Sequence, residues 1–405
     1  MTAISPASVT IATASEASHG PAQPAWGAVF AMTLCVVVLI ASEFMPVSLL
    51  TPIAQDLGVT EGHAGQAISI SGLFAVVTSL LISTVVGRLD RRMVVIGMAL
   101  LLAVSGTLVA LAPSFLVLMT GRALLGVAIG GFWSLNTSII MRLLPAALVP
   151  VGLATSNGGV AFASTVSAPL GSYMGELVGW RWTFFAVVPL ALAAAVWQAI
   201  ALPRLPPRGQ SRTGNVLRLL RDCRVVVGMS AILLFFMGQF ALFTYLRPFL
   251  EQVTGVGIST LSALLLVNGV ASLVGTLLIS TAIRASLPVT LVAIPLVMAA
   301  LALALALFGT STWAVACLLA LWGLVGTGGP VAWGTWLTRS LPEDAEAGGG
   351  LMVAVIQLAI TLGALSGGLV FDAAGPVADF TGSAGILALG AVVALSASRR
   401  LSSGA

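Results

Sequence analysis

Trp26 to Leu50 reads WGAVFAMTLCVVVLIASEFMPVSLL. A helix rises about 1.5 Å per residue, so an apolar stretch of this length crosses a hydrocarbon core of about 30 Å. One acid, Glu43, sits well inside it. An ionised group at mid-bilayer costs about 2.5–3.5 kcal/mol on insertion scales, so Glu43 needs an interior to face and a reason to be there. The stretch therefore points to a membrane-spanning chain with a polar interior.

Composition extends the reading to the whole chain. Of 405 residues, 59% are hydrophobic and 7% charged, and mean hydropathy is +1.10, which leaves no polar surface to enclose a soluble core. The net charge of +4 comes from 17 basic residues. All are arginine, and they occur as short clusters between apolar runs rather than as a stripe on one face, which argues against a nucleic-acid partner. Cys35, Cys223 and Cys317 lie far apart, so neither a disulfide framework nor a CxxC metal site is available. Residues 1–25 lack Lys and Arg, unlike the basic start of a cleavable signal peptide, and read as a disordered cytoplasmic tail.

Hydropathy predicts twelve spans at 26–50, 65–86, 93–111, 115–141, 151–177, 183–202, 225–246, 261–283, 288–308, 313–337, 350–371 and 377–397. With the N-terminus inside, the cytoplasmic segments hold Arg88, Arg91, Arg92, Arg142, Arg204, Arg208, Arg212, Arg218, Arg221, Arg224, Arg284, Arg339, Arg399 and Arg400. The positive-inside rule then puts both termini in the cytoplasm. Residues 203–224, with the run LPRLPPRG, form the longest polar interruption after the tail and read as a linker. It separates a six-helix half at 26–202 from another at 225–398, with 399–405 as a cytoplasmic C-tail. Gly126, Gly131, Arg142 and Pro145 recur, at one constant offset, as Gly323, Gly328, Arg339 and Pro342. Two parallel six-helix repeats are the mark of a transporter that rocks around a site between them. The expected fold class is an all-α polytopic membrane protein of twelve transmembrane helices in two six-helix halves.

Three stretches carry a resemblance. GRLDRR (Gly87 to Arg92), GRALLGVAIGGFWS (Gly121 to Ser134) and APLGSYMGELVGWRWTFF (Ala168 to Phe185) resemble signature motifs of the drug:proton antiporter branch of the major facilitator superfamily. SEFMPVSLLTPIAQDLG (Ser42 to Gly58), RLLPAALVP (Arg142 to Pro150), GQFALFTYLRPF (Gly238 to Phe249), WGTWLTRSL (Trp333 to Leu341) and VAVIQLA (Val353 to Ala359) are similar to bacterial purine ribonucleoside efflux permeases. The resemblance implies the major facilitator fold and alternating access in the bacterial inner membrane. It also implies proton-coupled efflux of purine ribonucleosides such as inosine, with protons, a nucleoside-like solute and the bilayer as partners. Sugar and multidrug antiporters share these motifs and stay open as alternatives. A monomer driven by the proton gradient is expected, with no cofactor and no metal.

Glu43 and Arg122 fall at similar depth on the first and fourth spans and are the candidates for proton coupling. Desolvation favours a neutral acid and a nearby guanidinium favours its anion, so such a group can titrate as a cavity opens and closes. A fixed structural pair, or contact of Glu43 with substrate hydroxyls, would also explain them. Resemblance makes Gly87, Asp90 and Arg91 a cytoplasmic gating motif, against a simple topology-setting cluster, and gives Gly158, Pro169 and Gly171 to the helix 5 antiporter motif, against tight packing. Substrate candidates are Asn136, Asn157, Gln239, Tyr245, Asn268, Trp333 and Gln357, which offer amide contacts to a base edge and aromatic faces for stacking. Amides inside spans can equally bond between helices. The chain has no GxxxxGK[ST] or HExxH stretch and no histidine in any predicted span, so no enzyme activity is expected.

Overall fold

Helix α1 (Trp26–Leu57) runs past its predicted end at Leu50 and stops at Gly58, whose left-handed φ of 65° closes the last turn. The computed structural model describes residues 24–85, 89–206, 218–341 and 345–402. It continues with α2 (Glu61–Val85), α3 (Arg91–Ala110), α4 (Phe115–Leu143), α5 (Val149–Leu177) and α6 (Trp180–Ala201). The second half holds α7 (Cys223–Thr244), α8 (258–285), α9 (287–308), α10 (Thr312–Ser340), α11 (Ala345–Ala374) and α12 (Pro376–Ser402). No strand occurs among the described residues. Gly87, Pro342 and much of the predicted tail and linker lie outside the described residues.

Among the described residues, ten helices are long and apolar enough to cross a membrane. The count falls short of twelve for two physical reasons. Helices α8 and α9 run together through a kink at Ser286 (φ −165°, ψ 105°); Pro288 then occupies the first turn of α9, where its missing N–H is no loss. Helix α5 carries Thr155, Ser156, Asn157, Ser164, Thr165 and Ser167, which dilute its hydropathy.

Twelve antiparallel passes put both chain ends on one face, here the terminal side; the other is the distal side. Buried apolar residues form two clusters. One is drawn from 28–205 with Tyr245 and Phe371, the other from 219–394 with Val47, Ile68 and Ala168. Each half thus owns a core, and a few residues reach across. Large side chains such as Leu116, Ile200 and Leu277 stay more than three-quarters exposed, as lipid-facing positions require.

The halves meet along α2–α11 and α5–α8. A Cβ at Gly62 or Gly65 would overlap Asp372 or Tyr245, one at Gly72 would overlap Thr361, and one at Gly269 would crowd Thr165. Small residues here let backbones approach closely enough to bond across the seam. Thr165 donates to the Gly269 carbonyl at 3.2 Å and Ser69 to the Thr361 carbonyl at 3.1 Å.

Candidate functional site

Pro46 determines the local chemistry of α1. Lacking an N–H, it leaves the Ser42 carbonyl without its helical donor. The Arg122 guanidinium fills that gap, donating to Ser42 O at 2.7 Å, and its remaining N–H groups reach Glu43 O (3.1 Å), Ala67 O (2.9 Å) and Ser71 Oγ (3.1 Å). Arg122 is 1% exposed and ties α1, α2 and α4 together within one half. Carbonyl dipoles, rather than a carboxylate, surround the charge.

Glu43 and Arg122 lie side by side, but not as the fixed side-chain pair that was one of the alternatives. The guanidinium binds the main-chain oxygen of Glu43, and no ion pair joins the two among the described residues. The Glu43 carboxyl, on a residue 3% exposed, faces the opposite half, where Gln357 Nε2 on α11 lies 3.4 Å from Oε1. Beside it Phe44 stacks on Phe240 of α7 (centroids 5.6 Å apart, planes at 22°) and meets Phe243 edge-on at 6.3 Å. Phe44 and Phe240 were missed as candidates; the adjacency of Phe44 to Glu43 was the available signal.

The other candidates scatter. Asn136 is buried between α4 and α5, donating to Ser156 Oγ at 3.0 Å, and lies about 20 Å down α4 from Arg122 at 1.5 Å per residue. Asn157 is exposed on α5. Gln239 lies against Gly326 inside the second half, and Asn268 is half-buried on α8. Asn136, Gln239, Asn268 and Gln357 each keep an amide oxygen buried with no protein donor. Trp333 is not presented for stacking: it is 2% exposed and edge-on to Trp336 within the second core. Tyr245 is likewise not at the Glu43 site. It plugs the distal seam, donating to Ala364 O at 2.7 Å with Gly62 O 3.4 Å away.

Of the motif residues, Asp90 caps α3, accepting from Arg92 N and from Leu205 N at 2.9 Å each, both in its own half or the adjoining linker. Arg91 N bonds Leu205 O at 3.0 Å. Gly171 is packed on Ser48 of α1, Pro169 is half-buried, and Gly158 has open space where a Cβ would stand.

The distal seam repeats the logic of Pro46. Pro52 frees the Ser48 carbonyl, and Arg247, from beyond α7, donates to it. Arg247 also pairs with Glu251 (2.8 Å), which accepts from Thr51 at 2.6 Å; Gln252 donates to Glu61 at 2.7 Å, and Asp372 accepts from Thr60 (2.6 Å) and Gly62 N (3.0 Å). These bonds roof a polar cavity of about 500 Å³ lined by Thr51, Glu61, Glu176, Arg247, Glu251 and Gln252. Asp56 and Glu61, which fall between the predicted spans 26–50 and 65–86, end α1 and begin α2. Hydrogen bonds joining the halves, where both partners are described, lie at mid-membrane or on this distal side.

A two-half helical bundle, sealed at one end and with a buried acid facing across its midline, is the architecture of a membrane carrier. The chain belongs to the Major Facilitator Superfamily, whose family model matches residues 32–349. It is 51% identical over 390 residues to the "Transcription regulatory protein OpdE" of Pseudomonas aeruginosa, covering 95% of this chain and 96% of that one. It is 42% identical over 376 residues to the "Purine ribonucleoside efflux pump NepI" of Salmonella typhimurium, covering 93% and 95%. Among solved structures it is similar to a bacterial homologue of the human lysosomal transporter Spinster in an inward-facing, unoccupied conformation (TM-score 0.77, 15% identity, 94% of this chain and 98% of that one). The chain is thus a multi-pass membrane transport protein of this family rather than an enzyme.

Proposed function

We propose that this chain is a proton-coupled antiporter that exports purine ribonucleosides such as inosine across a bacterial inner membrane, with both termini cytoplasmic. The observation that carries the proton half of the reading is the Glu43 carboxyl, buried at the midline, near enough to Arg122 to feel its charge without pairing with it, and hydrogen-bonded to a neutral amide of the other half. A proton moving inward gains about 2.3 kcal/mol per 100 mV, enough to drive uphill export without a nucleotide or other cofactor. Rocking the halves would break the Glu43–Gln357 contact and let water reach the carboxyl, and closing them would return it to a dry site.

The nucleoside half rests on the NepI likeness and on the chemistry around the midline. Phe44, Phe240 and Phe243 offer apolar ring surfaces to a base, and the unsatisfied amides of Gln357, Gln239 and Asn268 suit ribose hydroxyls and base N–H groups. A sugar or multidrug antiporter on the same scaffold is the alternative, and a multidrug carrier would use the same aromatics. A single chain supplies both halves, so a monomer suffices. The gating roles of Asp90 and Arg91 and the hinge role of Pro169 and Gly171 belong to the same reading, with Asp90 leaving Leu205 for the other half when the cytoplasmic side closes.

The test uses inverted vesicles with an imposed proton gradient. Labelled inosine uptake should follow the gradient and collapse at least tenfold in Glu43→Gln, with normal amounts of inserted protein. Gradient-driven uptake that survives Glu43→Gln removes the proton assignment. Competition by pentoses or cationic drugs but not by nucleosides removes the substrate assignment.

A further inference from the structure

A second buried acid lies outside the midline site. Asp379, in the first turn of α12, is 2% exposed, and its Oδ2 has no hydrogen-bond partner. An acid at a helix start ordinarily bonds a free backbone N–H. Here the carboxyl turns instead into the junction of α11, α12 and the segment after α7: a Cβ at Gly367 would lie 3.0 Å from Asp379 Oδ1 and equally close to the Tyr245 ring. Tyr245 stands between this pocket and α2, its hydroxyl near Gly62 O and its ring stacked on Phe371 at 5.2 Å.

We infer that Asp379 is a proton-binding site behind the distal gate, neutral while the gate is shut and ionised once it opens. A carboxylate with an oxygen that meets neither donor nor water is strongly disfavoured against the neutral acid. The facing groups offer no counter-charge. From α11 comes Asp372, itself an acid occupied by Thr60 and Gly62, and from the end of α7 comes Tyr245, committed to Ala364 O. In the segment beyond, Arg247 is engaged by Ser48 O and Glu251. The only charged side chains of α7, α8 and α9 are Arg224 and Arg284, both at the terminal end. Parting α2 from α11 breaks the Thr60 and Gly62 bonds to Asp372 and uncovers Tyr245, so water enters behind it and the proton leaves to bulk. Acidification therefore favours the shut distal gate, and alkalinity favours the open one.

The inference goes beyond the proton-coupled reading: Asp379 releases and regains its proton on the distal side, so it sets the gate by the pH there and moves no proton across, and Glu43 need not be the coupling group. Spin labels at Leu111→Cys and Trp313→Cys, exposed distal positions on opposite halves, replace the exposed Cys223 and Cys317 as labelling sites and report gate opening in full-length protein. In the parent, the open-to-shut ratio should rise up to tenfold per pH unit where Asp379 titrates. In Asp379→Asn it should be flat and shut, and in Glu43→Gln it should titrate as in the parent. A flat parent, or an Asp379→Asn variant that titrates like the parent, overturns the site. Titration lost only in Glu43→Gln moves the proton to the midline and leaves the functional reading standing. Should Asp379→Asn fail to insert, carbodiimide, which traps neutral carboxyls in apolar surroundings, is applied to the unmodified chain. An adduct on Asp379 that fades with rising pH supports the site, and labelling of Glu43 without Asp379 at every pH overturns it.

Discussion

Two arginines do the same job on α1 at different places. Pro46 frees the Ser42 carbonyl and Arg122 takes it; Pro52 frees the Ser48 carbonyl and Arg247 takes it. The first comes from α4 of the same half, so its bonds persist however the halves move. The second comes from the other half, so its bond exists only while the distal side is shut. One residue type on one kind of helix defect thus gives a permanent staple in one place and a releasable latch in the other. What separates them is which half the donor belongs to.

The largest expected effect comes from removing the staple. Arg122→Met orphans the Ser42 carbonyl, which Pro46 leaves without a helical donor, and takes a second donor from Glu43 O and Ala67 O, in every conformation. The one orphaned carbonyl costs about 1–3 kcal/mol and the forfeited bonds to a charged donor add to it, so a loss of about 3 kcal/mol is expected. Thermal unfolding in detergent should show it as a lower midpoint and a reduced yield, while the gate distance of whatever folds stays unchanged. A gate shift without a stability loss would put Arg122 in the moving seam after all.

Removing the latch comes next. Arg247→Met forfeits the Ser48 bond only in the shut state, since water reaches that carbonyl when the gate opens, whereas the pair with Glu251 lies within one half and is lost in both states. A cost of about 1.4 kcal/mol, at the bottom of the range for a charged donor, moves the open-to-shut ratio about tenfold. The label distance between positions 111 and 313 should lengthen, with unfolding little altered. An unchanged distance distribution would mean that the Thr60, Gly62 and Tyr245 contacts hold the gate alone.

The staple and the latch differ in how far sequence could reveal them. Span number and the common level of Glu43 and Arg122 were legible, because hydropathy varies along one dimension and the bilayer sets a length. The direction each side chain takes around its helix was not, because rotation is fixed by packing against neighbours. Glu43 therefore found Gln357, 314 positions away, rather than Arg122. Trp333 turned into its own core and Tyr245 rose to the gate. Asp379 reads in sequence as an acid at a helix start beside the membrane surface, and only the packing of Gly367 and Tyr245 makes it a buried one. Pro46 and Pro52 were visible, but which arginine serves each depends on the tertiary fold.

The finest test separates the carbonyl from the arginine that holds it. Pro52→Ala supplies an N–H to Ser48 O, so the acceptor no longer depends on Arg247. The oxygen has two lone pairs and can keep both donors, but the helical bond draws it along the helix axis and satisfies part of its demand. Arg247 should hold less strongly by about 0.5–1 kcal/mol, the worth of one ordinary hydrogen bond. Opening of the distal side, read by the same labels, should rise about two- to fivefold, less than in Arg247→Met, and the double variant should not exceed Arg247→Met alone. Additive opening in the double variant would show that Pro52 acts by bending α1 and not through the carbonyl it frees, and the parallel between staple and latch would then end at their geometry.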